Sequence, residues 1–305
     1  MNARPLFIHA LSPLHAGTGQ GVGVIDLPIA REVATGLPFL PGSSVKGTLR
    51  DTPSPDVDTA TRTLLFGPTT ANASDHAGSV QFTDQRLLLM PVRSLAGTFA
   101  WVTSPYVLQR FARDIRDIGD TSFPLELESL DDLGAEGNEP CLVGEAATAL
   151  IVAGTNTVVL EDLDLHPKKS AQVDAISSWL GARLFPDGSD QAEYWRGCLA
   201  GRLCVVRDDL LDFLLTTATE VTARVQIKDD QKTVADGGLW YEEALPTETI
   251  LAGLVLASPV TNREREPKKL SVEQIFAAVE KLTAGPLQFG GKATVGRGLC
   301  RARLG

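Results

Sequence analysis

The stretch from Ser12 to Arg50 reads SPLHAGTGQGVGVIDLPIAREVATGLPFLPGSSVKGTLR, and we expect the rest of the chain to be arranged around it. After His15 comes a run of alternate glycines, which permit positive φ angles and close backbone approach: Gly17, Gly19, Gly21 and Gly23. The segment from Pro41 to Gly47 predicts a turn that opens a short helix carrying Arg50. This stretch therefore combines backbone N–H groups, a helix N-terminus and cations, which together suit a phosphate-backbone ligand.

Asp26 is the most specific single residue of this stretch, because it lies between Ile25 and Leu27 in an otherwise apolar segment. A carboxylate cannot be buried there without a partner, so it either points into solvent or is placed for chemistry. In the second case it would bind a divalent metal or take a proton from a ribose 2′-hydroxyl, and the residues do not choose between these roles. A plain solvated acid in a loop is the structural alternative.

Two segments are candidates for phosphate binding. Ser43 or Ser44 is predicted to cap the helix that runs to about Asp51, and Lys46 adds a cation, although a plain capped helix has the same pattern. Near the C-terminus, Gly290 to Gly298 forms a basic glycine loop with Lys292 and Arg297. The loop is not a P-loop, because Ala293 stands where a Ser or Thr would bind magnesium and a strand follows. A structural β-bulge hairpin is its alternative reading.

The composition indicates an ordinary globular protein, with 305 residues, 43% hydrophobic and 22% charged. The net charge of −10 argues against coating nucleic acid by bulk attraction but allows a narrow basic track. No apolar run is long enough for a membrane helix, and the N-terminal apolar run is too short for a signal peptide, so we expect a cytoplasmic location. Four isolated cysteines and four scattered histidines do not form a zinc motif. Nucleophile schemes based on a Ser-His-Asp or Cys-His arrangement have no support either.

Strands and helices alternate irregularly along the chain, which favours an α+β class and one elaborated domain over residues 1–305. The longest predicted elements include strands at 80–90, 158–165, 221–227 and 249–258 and helices at 105–118, 171–184 and 271–284. Residues 123–140 are predicted to form an acidic loop. No internal repeat or linker divides the chain.

Several strings resemble one family. The openings SPLHAGTG and IDLPI, the run PGSSVKGTLRD, the later strings PVRSL, FAWVT and LWYEE, and the terminal glycine loop occur in the order found there. On these motifs, which span most of the chain, the protein is identified as a member of the RAMP superfamily. It resembles the repeated backbone subunit, the fourth Cmr subunit, of type III-B (Cmr) CRISPR effector complexes.

This resemblance implies a ferredoxin-like core, similar to an RNA-recognition motif, with large insertions and a protruding β-hairpin thumb. It also implies that copies of the chain stack head to tail along a guide CRISPR RNA, together with other Cmr subunits. Each thumb then splays a base, and the complementary target RNA is cut beside it with Mg²⁺ or Mn²⁺. The thumb has three candidate locations: the loop at 69–78, the excursion at 228–238, and the segment after Leu165.

The resemblance also assigns site residues. The acid of the IDLP segment, Asp26, is implied to be required for cutting and is the tentative metal ligand, with His15, Glu242 and Tyr241 as supports. The residues that we expect to contact guide RNA are Ser43, Ser44, Lys46, Arg50, Gly290, Gly291, Lys292 and Arg297.

Three functions remain open at this point. The chain could bind guide RNA and cut the target, or it could bind and organise the guide without cutting. Asp26 favours the first of these. The third reading, a guide-processing endonuclease that works alone, commonly needs a histidine, and the scarcity of histidines argues against it.

Overall fold

The computed structural model describes residues 2–18, 25–68, 75–125, 139–228, 230, 233–261 and 269–305, which form a mixed α+β protein as the sequence predicts. The α-helices of this part of the chain are α1 (Gly42–Asp51), α2 (Thr59–Phe66), α3 (Pro105–Asp117), α4 (Ala171–Leu184), α5 (Asp190–Arg202), α6 (Asp208–Thr217) and α7 (Val272–Leu282). Its strands are β1 (Ala3–Ala10), β2 (Phe39–Leu40), β3 (Val80–Phe82), β4 (Gln85–Arg93), β5 (Phe99–Thr103), β6 (Pro140–Gly144), β7 (Val158–Leu160), β8 (Leu163–Ser170), β9 (Leu203–Val206), β10 (Glu220–Ile227), β11 (Val234–Ala244), β12 (Ile250–Ala257), β13 (Pro286–Gln288) and β14 (Leu299–Leu304).

One large sheet has the strand order β13-β14-β1-β12-β4-β5-β9-β6-β8-β7, with β2 beside β4 and β3 beside β12. In its β14-β1-β12-β4 portion, all neighbours are antiparallel. Phe7 of β1 lies opposite Ala252 on one side and Arg303 on the other. From Pro5 to Ala10 every residue of β1 is buried, so both faces of the strand are covered.

The helices that pack on this sheet begin at capping residues that can be read from the sequence. Ser104 caps α3 ahead of Pro105, and Ser271 and Gln274 form a capping box at the start of α7. Helix α3 buries the apolar residues predicted for it, among them Leu108 and Phe111. Edge-to-face rings then join α3 and α4 to β1, with Phe111 at 5.9 Å from Phe7 and 5.8 Å from Trp179.

Glu32 fixes the segment before α1 to helix α3. Its two carboxylate oxygens each accept a hydrogen bond from Arg110 at 2.7 Å, and Arg86 lies 3.8 Å away. The hydrogen bond from Arg110 lowers the pKa of Glu32 below its ordinary value, despite the opposing effect of burial. The carboxylate is therefore ionised at neutral pH.

Strands β10 and β11 form a separate two-stranded sheet, a hairpin that spans Glu220–Ala244. Cross-strand partners share a face, so the hairpin has two different faces. The apolar face, on which the large side chains are about half exposed, carries Val221, Ala223, Val225, Ile227, Val234, Leu239 and Tyr241. The polar face carries Thr222, Arg224, Trp240 and Glu242.

Three local predictions are wrong. The strand predicted at 80–90 is two strands, β3 and β4, which are separated at Thr83 and Asp84, and β3 pairs with β12. Helix α1 is capped by Pro41, with no side-chain hydrogen bond, rather than by Ser43 or Ser44. The first helical N–H, from Gly42, instead donates to Asp84 Oδ1 at 2.9 Å, because a distant loop carries a carboxylate to the helix start. The strand predicted at 158–165 is two antiparallel strands, β7 and β8, which reverse at Glu161 with a φ of 50°.

Other predictions are confirmed or fall partly outside the described residues. The four cysteines are free and buried. No helix among the described residues is long and apolar enough to cross a membrane. Most of the acidic loop, at 126–138, and most of the thumb candidate at 69–78 lie outside the described part of the chain.

Candidate functional site

Asp26 lies against the base of the hairpin. The backbone around Leu27 runs parallel to β11, with Leu27 N–H donating to Tyr241 O at 3.1 Å and Glu243 N–H donating to Leu27 O at 3.0 Å. Asp26 Oδ2 accepts the N–H of Tyr241 at 2.8 Å and so takes the place of a backbone acceptor in this ladder. The residue is exposed, and Oδ1 has no hydrogen bond to any described residue. One carboxylate oxygen is thus fixed and the other faces solvent.

The side chain of His15 contacts β11 at Glu243, two residues after Tyr241. Its Nδ1 lies 2.6 Å from Glu243 O, and because a carbonyl only accepts, Nδ1 carries the proton. In the neutral ring, Nε2 therefore keeps its lone pair. His15 is 7% exposed, so it contacts the site from the protein interior and not from the surface.

Glycines surround His15 because there is no room for side chains. A Cβ at Gly17 would lie 2.6 Å from His15 Nε2, and one at Gly290 would lie 2.4 Å from His15 O. Gly291 N–H donates to the same carbonyl at 2.9 Å. Gly17, the first glycine of the early run, and the C-terminal glycine loop thus meet at His15, while the other glycines of the early run lie outside the described residues.

The C-terminal glycine loop connects β13 to β14 and turns through a short 3-10 helix, Ala293–Val295. Its two predicted RNA-binding cations are already paired with the hairpin. Lys292 Nζ lies 2.9 Å from Glu242 Oε1, and an Arg297 guanidinium nitrogen lies 2.9 Å from Glu220 Oε2. The ion pairs fix the polar face of the hairpin against the loop.

Glu242 is the centre of that polar contact. It is 6% exposed and accepts a hydrogen bond from Trp240 Nε1 at 2.8 Å, with Arg224 Nε at 3.4 Å. Burial raises the pKa of Glu242, but hydrogen bonds from Lys292 and Trp240 and the nearby cations outweigh burial, so its pKa lies below the ordinary value. Glu242 is therefore an ionised anchor at neutral pH and has no proton to donate.

Helix α1 presents the other predicted RNA contacts. Ser43 is exposed, and Ser44 and Lys46 are half-buried. Arg50 donates to Pro68 O at 2.8 Å, so its guanidinium supports the end of α2. Thr48 donates to Gln288 O at 3.2 Å, which places α1 beside the strand that leads into the glycine loop.

The sequence interpretation missed Glu243 and Arg31. Glu243 is 3% exposed, and its Oε1 lies 2.6 Å from Arg31. A second acid beside Glu242 in the string LWYEE was the available signal, because adjacent acids in a strand point to opposite faces.

A metal would find few protein ligands here. Within the described residues, no group of three or more His, Cys, Asp or Glu side chains is placed to hold an ion. Asp26 offers a single carboxylate. Any cation at this position would need oxygens from a bound ligand.

Comparison with known proteins agrees with this architecture. The model of the RAMP superfamily matches residues 7–301. The chain therefore belongs to the RAMP superfamily. It is 33% identical over 306 residues to the CRISPR system Cmr endoribonuclease Cmr4 of Pyrococcus furiosus, covering 100% of this chain and 96% of that protein. Within the superfamily, this likeness places the chain in the Cmr4 family.

Two solved structures share the fold. Oligomeric Cmr4 from Pyrococcus furiosus superposes with a TM-score of 0.70 at 27% identity, covering 99% of this chain and 97% of that one. A chain of the type III-B Cmr-beta complex bound to cognate target RNA gives a TM-score of 0.69 at 22% identity, covering 99% and 96%, a likeness in fold.

Proposed function

We propose that the chain is the guide-RNA-binding backbone subunit of a type III-B CRISPR effector and that it cuts complementary target RNA. Its membership of the Cmr4 family supports this function, since the relative from Pyrococcus furiosus is named an endoribonuclease and its crystallised form is oligomeric. Several copies stack head to tail along the guide with other Cmr subunits. Base pairing supplies sequence specificity, because the protein holds the guide by its backbone.

The observation that carries the catalytic part is the placement of Asp26 at the hairpin base, with one oxygen fixed by Tyr241 N–H and the other exposed. A base splayed by the hairpin breaks A-form stacking, which brings a ribose 2′-hydroxyl in line with its own phosphate. Asp26 Oδ1 accepts the hydroxyl proton, the 2′-oxygen attacks phosphorus, and the 5′-oxygen leaves and takes a proton from water. The products are a 2′,3′-cyclic phosphate and a 5′-hydroxyl end.

A divalent cation fits this site only if RNA provides most of its ligands. Mg²⁺ commonly keeps several waters and binds one or two carboxylates together with substrate phosphates, and Asp26 offers one carboxylate. Mg²⁺ or Mn²⁺ held in this way would neutralise charge that develops on the phosphate. Asp26 then orients the RNA instead of taking the proton, and both roles remain part of the proposal.

The other predicted residues receive distinct roles. Ser43, Ser44 and Lys46 contact guide phosphates beside the start of α1, and the N–H of Gly290 lies at the neighbouring loop, where the N–H of Gly291 is already bound to His15 O. Lys292 and Arg297 keep their hairpin partners and face the guide with their remaining donors. Glu242 holds Lys292, while His15 and the N–H of Tyr241 position Asp26.

The hairpin Glu220–Ala244 is the proposed thumb, since it forms a sheet of its own and exposes an apolar face. The excursion at 228–238 includes the chain between the end of β10 at Ile227 and the start of β11 at Val234, which favours that candidate over the segment after Leu165, where β8 leads into α4.

The core is proposed to be ferredoxin-like. Strand β1, helix α1, strands β4 and β12, helix α7 and strand β14 follow one another in the βαββαβ order, and their sheet order β14-β1-β12-β4 is the 4-1-3-2 arrangement of that fold. The remaining elements are insertions within one domain over residues 1–305. We place the protein in the cytoplasm, where guide and target RNA are found.

A non-catalytic backbone subunit is the alternative. The test is to reconstitute the complex with its guide RNA and other subunits and to measure target cleavage in Mg²⁺ or Mn²⁺ for the wild type and Asp26→Asn. Ladder-like cleavage by the wild type and a loss of about 10²- to 10⁴-fold in the variant, with target binding retained, would support the proposal. Equal cleavage by both would leave this chain as a scaffold.

A further inference from the structure

We infer that Glu243, together with Arg31, is a positioning residue that fixes the Asp26 segment against the hairpin for target cleavage. This inference rests on the proposed function. It concerns residues that do not touch the RNA and act only through Asp26.

Glu243 holds both chain segments that meet at the hairpin base. Its backbone N–H donates to Leu27 O at 3.0 Å, one residue after Asp26, and its carbonyl accepts from His15 Nδ1 at 2.6 Å. Its carboxylate accepts the N–H of Ile29 at 3.0 Å, three residues after Asp26. One residue of β11 therefore binds the chain on either side of the glycine run.

Arg31 completes the attachment. Its guanidinium lies 2.6 Å from Glu243 Oε1, and it donates to Gly36 O at 3.1 Å and to Leu215 O at 2.9 Å. The pair links the Asp26 segment to the turn after it and to the end of α6. The side chains are 25% exposed for Arg31 and 4% for Glu243, so water competes little with these bonds.

Such a link affects the rate because Asp26 itself is held by one hydrogen bond from Tyr241. Asp26 is exposed, so the hydrogen bonds of its segment set its position more than burial does. The segment that follows it is fixed through Leu27, Ile29 and Arg31, and Glu243 binds all three. A displacement of about 1 Å at a reacting group can lower a rate by ~10²-fold.

The test uses the complete complex with guide RNA and compares wild type, Asp26→Asn, Glu243→Gln and Arg31→Lys. We expect Glu243→Gln and Arg31→Lys to lower the single-turnover rate per bound target by about 10- to 100-fold. The dissociation constant for target RNA should change by less than about threefold, because neither side chain is proposed to contact RNA. The double variant should lose no more than the worse single variant, since both residues act through one link.

Glu32→Gln is the matched control. Glu32 is the next residue after Arg31 and also forms a partly buried carboxylate–arginine pair, with Arg110 at 2.7 Å, but no contact joins it to residues 241–243. Loss of this pair in Glu32→Gln should lower the melting temperature and leave the cleavage rate per bound target within about twofold of the wild-type rate.

Three results would overturn the inference. The first is cleavage by Glu243→Gln complexes at the wild-type rate. The second is a fall in target affinity that accounts for the whole loss of cleavage. The third is the same rate loss in Glu32→Gln, because the effect would then follow general destabilisation. If Glu243→Gln assembles poorly, the rate per bound target in Arg31→Lys decides by the same criteria. Failure of the proposed function is separate: there the wild type would not cut, or Asp26→Asn would cut equally well.

Discussion

The carboxylate of Asp26 accepts the backbone N–H of Tyr241 at 2.8 Å, although the two residues are 215 positions apart. The bond gives Asp26 a structural role in addition to the catalytic role proposed for it. An asparagine retains a side-chain oxygen that can accept this N–H, whereas an alanine does not.

Asp26→Asn and Asp26→Ala are therefore expected to differ in stability but not in activity. Both should lose target cleavage. Only Asp26→Ala should lower the free energy of unfolding, by about 0.5–1.5 kcal/mol, because it leaves the Tyr241 N–H without its partner. Urea denaturation of the isolated chain measures the difference, with Asp51→Ala, at an exposed acid on α1, as control. Equal stability of the two Asp26 variants would show that solvent replaces the bond without cost.

Gly290 and Gly296 provide a matched pair in one loop. Both have positive φ, +70° and +80°, but a Cβ at Gly290 would lie 2.4 Å from His15 O, while one at Gly296 would have nothing within 4 Å. Gly296→Ala should cost about 1 kcal/mol for backbone strain alone. Gly290→Ala should cost about 1–3 kcal/mol more, because His15 must move. Thermal unfolding tests this order, and equal losses would contradict the packing of the loop on His15.

Lys46 is expected to contact a guide phosphate. Among the described residues it has no ion-pair partner, unlike Lys292, which is paired with Glu242. Lys46→Ala should weaken guide binding and reduce the slope of log affinity against log salt by about 0.7 per lost contact. Filter binding at several salt concentrations measures the affinity and this slope, with Lys281→Ala on α7 as the control. An unchanged slope would remove Lys46 from the RNA track.

The apolar face of the hairpin is expected to serve cleavage and not folding. Val225 and Leu239 are cross-strand partners, 50% and 54% exposed. Replacing both with Thr should change the free energy of unfolding by less than about 0.5 kcal/mol per site. Target cleavage should nevertheless fall, because the proposed thumb would lose its apolar surface. Leu95→Thr, at a residue 72% exposed between β4 and β5, is the control and should cleave normally.

Lowering the pH should destabilise the folded protein in part through protonation of Glu32. Hydrogen bonding from Arg110 lowers the pKa of Glu32, so its contribution to stability is fully present above the unfolded pKa of about 4.3 and is lost as the pH falls through the lower folded value. Glu32→Gln should reduce stability at pH 7 by about 1–3 kcal/mol and flatten the decline below about pH 4.3. Melting temperatures from pH 7 to pH 3 test both effects. A decline as steep as that of the wild type would assign the acid sensitivity to other carboxylates.

The sequence by itself determined those features that depend on neighbours along the chain. The helices predicted at 105–118 and 271–284 lie at nearly the observed positions of α3 and α7, because apolar residues three or four positions apart and a capping serine are local signals. The α+β class also came from local patterns, together with motifs that resemble one family, and the catalytic role of Asp26 stays a proposal. The single-domain organisation stays a prediction.

Only the tertiary structure decided which hydrogen-bond and ion-pair partners the polar groups have. The first N–H of α1 is bound by Asp84, the hairpin holds Lys292 and Arg297, and Gly290 is a glycine because His15 packs on it. Glu243, absent from the sequence-based site, binds segments more than two hundred residues away. Hydrogen bonds and ion pairs over such separations depend on how strands are ordered in space, and no periodicity in the chain encodes that order.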